Sequence, residues 1–205
     1  MKRVLILIAA FVFSAGIVSA KENMAEKVEL KVDTKSSKVH WTGKKVTGEH
    51  TGYVSVENGS LMMKDGQLSG ATIKMDMNSI VCTDLEGEWN EKLVGHLKSD
   101  DFFSVDKHPI ATFETKSIKK SGMKHEVVGD LTIKGITHEV SFPVEVKMEG
   151  DKFMANGTAK FDRTNWDIRF RSGKFFSDLG DNLIYDDFEI KFELVASGLE
   201  AYTSR

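Results

Sequence analysis

The chain has 205 residues, 40% hydrophobic and 29% charged, which excludes a disordered or collagen-like polymer and fits one domain or at most two. Its 28 Lys and Arg against 31 Asp and Glu leave a net charge of −3, so no basic face is available for nucleic acid. A single cysteine, Cys82, excludes an internal disulfide framework and any zinc or iron–sulfur site built from cysteines.

Lys2 and Arg3 precede an uncharged apolar run from Val4 to Ile17, and Val18-Ser19-Ala20 places small residues where a signal peptidase reads. The pattern predicts a signal peptide over residues 1–20, cleaved after Ala20, and one β domain over 21–205. The run is shorter than the roughly 18–20 apolar residues that cross a bilayer as a helix. No cysteine stands at the cut to carry a lipid anchor, and nothing after Ala20 has the length of a membrane span. The expectation is an exported, periplasmic protein with no integral membrane segment after cleavage.

From Val28 onward the hydrophobic period is two, the mark of strands with one buried face. Strands are expected near Val39–Val46 and Gly52–Met63, then where Ala71, Ile73, Met75 and Met77 alternate with Thr72, Lys74 and Asp76. Trp89, Leu93 and Leu97 recur at helical spacing among polar neighbours, predicting a helix over about 88–98 with Trp89 anchoring its buried face. Strands resume near Ile110–Ile118 and Glu126–Lys134, followed by Val140, Phe142, Val144, Val146 and Met148. Pro143, on the polar side of that last run, donates no ladder hydrogen bond and signals an edge, a bulge or a barrel seam. Phe153–Arg163 and Phe188–Leu194 complete the set, and Thr164–Asp187 between them has the length of a lid or ordered flap.

The separators are turn chemistry: Asn58-Gly59, Lys64-Asp65-Gly66, Ser121-Gly122, Lys134-Gly135 and Glu149-Gly150-Asp151. About eight strands in meander order result, with antiparallel neighbours. Such a sheet must hide its edges and bury one face, and closure into an up-and-down barrel does both. The fold class is therefore all-β with one short helix.

The six histidines, at 40, 50, 96, 108, 125 and 138, show no metal-ligand spacing, although His40 and His50 could meet across a hairpin. There is no nucleophile elbow, P-loop or dinucleotide fingerprint. Cys82 reads as a buried, inert thiol with no His or basic cluster near it in sequence. Asp100-Asp101 and Asp186-Asp187 place neighbours on alternate faces of a strand and form no acid–base dyad by spacing. Neither an enzyme, a metal site nor a cofactor is expected.

An eight-stranded barrel either fills itself with side chains or holds one elongated ligand. The inward positions Trp41, Met75, Met77, Phe113, Phe142, Phe153, Phe161, Phe188 and Phe192 suit a long apolar molecule and suit a dry core equally. Arg163 continues the inward parity of Phe153, Ala155, Gly157, Ala159 and Phe161. At a barrel mouth its planar fork would meet a polar headgroup, or it would tie to Asp186 or Asp162. Arg169 and Arg171 are similar headgroup candidates with less support.

Several motifs in order resemble the YceI-like, polyisoprenoid-binding family. Val32-Asp33 followed by Ser36–Trp41 resembles its opening strand pair, and Gly95–Phe103 with Lys107-His108-Pro109 and Ala111-Thr112-Phe113 its "HLRS-x-DFF…YPT-x-F" signature. Gly129–His138 resembles its "GDLTI-x-G-x-T" hairpin, and Phe161-Asp162-Arg163-Thr164 its "x-DRT". The set spans nearly all of Val28 to Ala196.

The resemblance implies an extended, lipocalin-like barrel with a long apolar tunnel, in a periplasmic protein that binds an isoprenoid-type lipid. It carries no catalytic residues over. His96 becomes a further headgroup candidate, and Phe102, Phe103, Trp166, Phe170, Phe175 and Phe176 become lid candidates, Phe102 and Phe103 alternatively pinning the helix to the barrel. The stretch Gly173–Asp187 is longer than the family's usual segment and would cover or narrow the tunnel.

The expected function is a carrier for a polyprenyl diphosphate or a polyisoprenoid quinone, against the alternative of a structural or stress-response barrel with a filled core. Whether the barrel is a monomer or a homodimer stays open.

Overall fold

The alternating segments become antiparallel strands in a computed structural model that describes residues 27–122, 124–150 and 152–201, with side chains described through Ser197. The expected signal peptide, with its cleavage point at Ala20, lies outside these residues. In chain order the strands are β1 (Lys27–Val32), β2 (Lys38–Lys45), β3 (Gly48–Lys64), β4 (Gln67–Cys82), β5 (Ile110–Ser121), β6 (Lys124–Ile133), β7 (Ile136–Glu149), β8 (Lys152–Asp162) and β9 (Ile184–Ala201). One helix, α1 (Gly87–Lys98), joins β4 to β5. Each of β2 through β9 pairs with its chain neighbour, and β9 returns to β2, which closes an eight-stranded barrel.

The ninth segment adds no stave. β1 pairs with the far half of β3 (Lys27↔Lys64 to Lys31↔Ser60), whereas β2 pairs with its near half (Val39↔Val54 to Lys45↔Gly48), and both also pair with β9. They are one strand interrupted, so the expected opening pair does not pair with itself. The break has a local cause: the Asp33 carboxylate accepts the backbone N–H groups of Lys35 and Ser36 at 2.9 and 3.2 Å and turns the chain outward. The Ser37 hydroxyl accepts the Val195 N–H at 3.0 Å in place of the missing ladder partner.

Hairpin chemistry behaves as expected at Asp65-Gly66 and Lys134-Gly135, where both residues of each pair have positive φ. It does not at Asn58-Gly59, which lies inside β3, and a second Asn-Gly pair of the same turn chemistry, Asn156-Gly157, likewise lies inside β8. Gly157 is there for close approach: a Cβ would stand 2.5 Å from the Phe192 ring and 2.9 Å from the Pro143 carbonyl oxygen. The last strand begins at Ile184, four residues before the expected Phe188, because Tyr185-Asp186-Asp187 hides the alternation.

Two ladders are short. β4 and β5 pair only over Thr72–Asp76 and Ile110–Glu114, and β7 and β8 only over Val144–Glu149 and Lys152–Gly157. Pro143 stands where the second ladder stops, which is the seam its missing N–H predicted. Beyond the first ladder, α1 and the following loop cover the gap, and the Met77 N–H reaches the Pro109 carbonyl at 2.8 Å. Beyond the second, the 3-10 turn Arg163–Trp166 fills the space, with the Trp166 indole N–H donating to the Leu131 carbonyl at 3.1 Å.

The helix starts one residue before its expected bound. Its tether is Leu97, buried at the C-terminal end, with Leu93 partly buried. Trp89 is 71% exposed and does not anchor the helix, whose buried contact is made at its other end by Leu97.

Candidate functional site

Inward side chains leave an apolar cavity of about 210 Å³ along the barrel axis, with no polar atom exposed on its wall. Trp41 from β2, Met75 and Met77 from β4, Phe113 from β5, Phe142 from β7, Phe161 from β8, and Phe188 and Phe192 from β9 all line it. Phe153 does not: it is fully buried where β8 meets β7 and β9 near Ala196. Phe142 is the hub of the aromatic wall, with ring centroids 5.2 Å from Phe113, 5.7 Å from Phe192 and 6.2 Å from Phe161.

Arg163 also lines the cavity, without exposing a polar atom to it, and is 5% exposed overall. Its Nε donates to the Tyr185 carbonyl at 3.1 Å, Nη1 to Ile168 at 2.9 Å and Nη2 to Ile184 at 3.0 Å. Asp186 lies 3.4 Å from Nη2. Burial presses the Arg163 pKa down while Asp186 and Asp162 raise it. Of the two roles read from sequence, this geometry fits the structural tie: the fork stitches the 163–168 turn to the start of β9.

Arg169 and His96 do not border the cavity. Arg169 pairs with Asp167 at 2.6 Å and lies over the Phe175 ring, and Arg171 lies over Phe170. His96 contacts Asp101 at 3.0 Å and packs edge-on against Phe102 and Phe170.

Among the lid candidates, Phe102 and Phe103 border the cavity from the loop after α1. Trp166 is a buried plug against Phe161, Phe188 and His138 rather than a cavity wall. Phe170 packs on His96 and Phe102, and Phe175 and Phe176 face solvent. Wall residues such as Ile168, Ile184 and Tyr185 went unread because they lie in or beside the stretch where the alternation fails.

His40 and His50 do not meet: His40 pairs with Tyr53, and His50 with Gly43. The Cys82 thiol, read as remote from any histidine, shares Asp84 with His50. No helix among the described residues is long and apolar enough to cross a membrane.

A family model described as a YceI-like domain matches residues 30–196. A UPF0312 protein of Staphylococcus aureus strain N315 is 44% identical over 88 residues, 40% of this chain and 49% of that protein. A UPF0312 protein of Photorhabdus laumondii is 35% identical over 98 residues, 48% of this chain and 50% of the relative. The chain thus spans about half the length of the curated relatives it matches.

Among solved structures, Burkholderia cenocepacia BcnA has a TM-score of 0.66 at 26% identity, covering 81% of this chain and 99% of that one. A polyisoprenoid binding domain from Saccharophagus degradans, implicated in plant cell wall breakdown, has a TM-score of 0.63 at 14% identity, covering 82% and 98%. That second likeness is one of fold.

Proposed function

Because the chain belongs to the YceI-like domain family, we propose that it is an exported periplasmic carrier holding the tail of a long-chain isoprenoid lipid in the barrel. Either a polyprenyl diphosphate or a polyisoprenoid quinone meets that description, and the Saccharophagus degradans domain of like fold is a polyisoprenoid binding domain. The sequence pattern over residues 1–20 supports export.

The single observation that carries this reading is the apolar cavity of about 210 Å³. Water is a poor occupant, because each buried water needs two to four polar partners and this wall exposes none. Leaving that wall to water or to void is unfavourable, because it offers water no hydrogen-bond partner and its side chains lose packing contacts. A flexible apolar chain removes that cost, and each Å² it buries contributes about 25 cal/mol. Affinity then resides in the tail, and the protein discriminates poorly among tails of similar girth.

Native mass spectrometry of protein purified from its own periplasm, with organic extraction of what is bound, tests the proposal. A stoichiometric prenyl-chain lipid is expected. An empty barrel that also rejects added long-chain quinones would overturn it in favour of a purely structural barrel. Phe142→Ala is the companion variant. Because the ring already borders open space, its stability cost should fall at or below the low end of the roughly 3–5 kcal/mol of a packed core. Lipid affinity should fall more sharply, as read by urea denaturation beside quinone titration.

A further inference from the structure

Outside the cavity, the β3–β4 register brings together three donor atoms of different kinds. The ladder pairs Gly52 with Cys82 and continues outward, where the Thr83 N–H donates to the Thr51 carbonyl at 2.9 Å. His50 therefore falls opposite Asp84, and Cys82, two residues before Asp84, shares its face. His50 Nδ1 lies 2.8 Å from Asp84 Oδ2, and the Cys82 thiol donates to Asp84 Oδ1 at 3.2 Å. All three donor atoms lie within 4.8 Å of one another, and none of the three residues lines the cavity.

The surroundings hold this cluster in place. The Thr51 N–H donates to Asp84 Oδ1 at 2.8 Å. The Asn90 side chain of α1 donates to the Cys82 and Leu85 carbonyls at 2.9 and 2.8 Å. Gly52 leaves room beside Cys82 for the Trp41 indole, which a Cβ would approach to 2.8 Å, and the indole N–H donates to the Val81 carbonyl. Cys82 is 6% exposed, whereas the His50 and Asp84 side chains are 26% and 31% exposed. The cluster is rigid on its protein side and open on its solvent side.

We propose that His50, Cys82 and Asp84 form a binding site for a single Zn²⁺ ion, with a fourth position open to water. Imidazole, thiolate and carboxylate are the donor types zinc takes, and a thiolate disfavours Mg²⁺ and Ca²⁺. Zinc bonds of about 2.0–2.3 Å set tetrahedral edges of about 3.3–3.6 Å. To admit the ion, the two hydrogen-bonded contacts open by up to about half an ångström, and the His50–Cys82 edge, now within 4.8 Å, closes toward that same length. On binding, the S–H bond breaks, its proton leaves to solvent, and the sulfur electron pair forms the S–Zn bond.

The other partners are ready. Burial is the largest single influence on Asp84 and pushes its carboxyl up. The Thr51 N–H, His50 and the Cys82 thiol together outweigh it and hold the group at about 2, ionised at neutral pH. Burial pushes the Cys82 thiol up, so the ion rather than the protein must displace its proton.

Co²⁺ titration of the purified chain tests the site, because cobalt reports thiolate ligation by a charge-transfer band and tetrahedral geometry by intense d–d bands. One equivalent should saturate both bands, Zn²⁺ should abolish them by displacement, and Zn²⁺ should raise the melting temperature. Cys82→Ser should remove the charge-transfer band, and His50→Gln should weaken Co²⁺ at least tenfold. If Cys82→Ser fails to fold, His50→Gln at its half-buried position still decides the question. Absence of the charge-transfer band in the native protein, or binding that survives either substitution unchanged, overturns the proposal.

Discussion

Arg163 illustrates how far a single residue can be read. Its inward parity and its place at the end of β8 follow from the alternation of Phe153 through Phe161. Its partners do not, since the carbonyls of Ile168, Ile184 and Tyr185 reach it only through the fold of the following loop. Arg163→Ala should therefore cost about 3 kcal/mol or more by leaving buried carbonyls without a donor and Asp186 with only Lys174, at 4.0 Å. It should weaken a prenyl diphosphate and a neutral quinone by equal factors, whereas selective loss of the diphosphate in parallel titrations would restore the headgroup role.

Its neighbour Asp162 carries a pH dependence. Burial is the largest single influence on its carboxyl and raises it, but hydrogen bonds from Lys174 and from the Thr164 hydroxyl and N–H prevail and lower it overall. A carboxyl lowered in the folded state stabilises the protein above its unfolded pKa of about 3.9 and loses that contribution as pH falls through the folded value. Urea midpoints measured from pH 5 to pH 2 should fall more steeply for the native protein than for Asp162→Asn. At neutral pH the two should differ by no more than about 1 kcal/mol, since the side chain is 26% exposed and water screens the pair.

At the scale of elements, periodicity located most strands and the helix, and it failed where side chains serve something other than the core. Tyr185-Asp186-Asp187 opens β9 without alternating, because Tyr185 faces solvent while its carbonyl serves Arg163. Asn58-Gly59 and Asn156-Gly157 mimic hairpin turns yet sit mid-strand, and the difference lies in what crosses above the glycine. Gly157→Ala should force the Phe192 ring and the Pro143 backbone apart. A loss of about 1–3 kcal/mol is expected, read as a shift in the urea midpoint with an unchanged slope. An alanine tolerated within about 0.3 kcal/mol would show that the β7–β8 seam yields freely.

For the whole molecule, closure joins the eight staves into one ring, leaving unpaired stretches only beside the short β4–β5 and β7–β8 ladders among the described residues, and the volume inside exceeds what its side chains occupy. Loading should accordingly appear as stability. A tail present at about a hundred times its dissociation constant adds about 2.7 kcal/mol, or about 5–10 °C in Tm for a domain of this size. Organic extraction followed by calorimetry, with and without added quinone, measures that difference. A Tm indifferent to extraction and reloading would mean that the cavity is not the lipid's seat.

The alternation from Val28 onward determined by itself that the protein is all-β, that its strands are antiparallel neighbours, and that its inward face is apolar. Specific residues, from Gly95–Phe103 to Phe161–Thr164, separately carried the ordered motifs of the family. These properties are local: a strand's two faces and a turn's φ angles depend on residues a few positions apart. Tertiary structure alone decided three further things: that a cavity remains among the inward side chains, that Arg163 is committed to backbone carbonyls, and that His50 stands against Asp84 and Cys82. Each depends on register and stagger between strands far apart in sequence, and a shift of one residue in β3 against β4 would turn His50 to the other face.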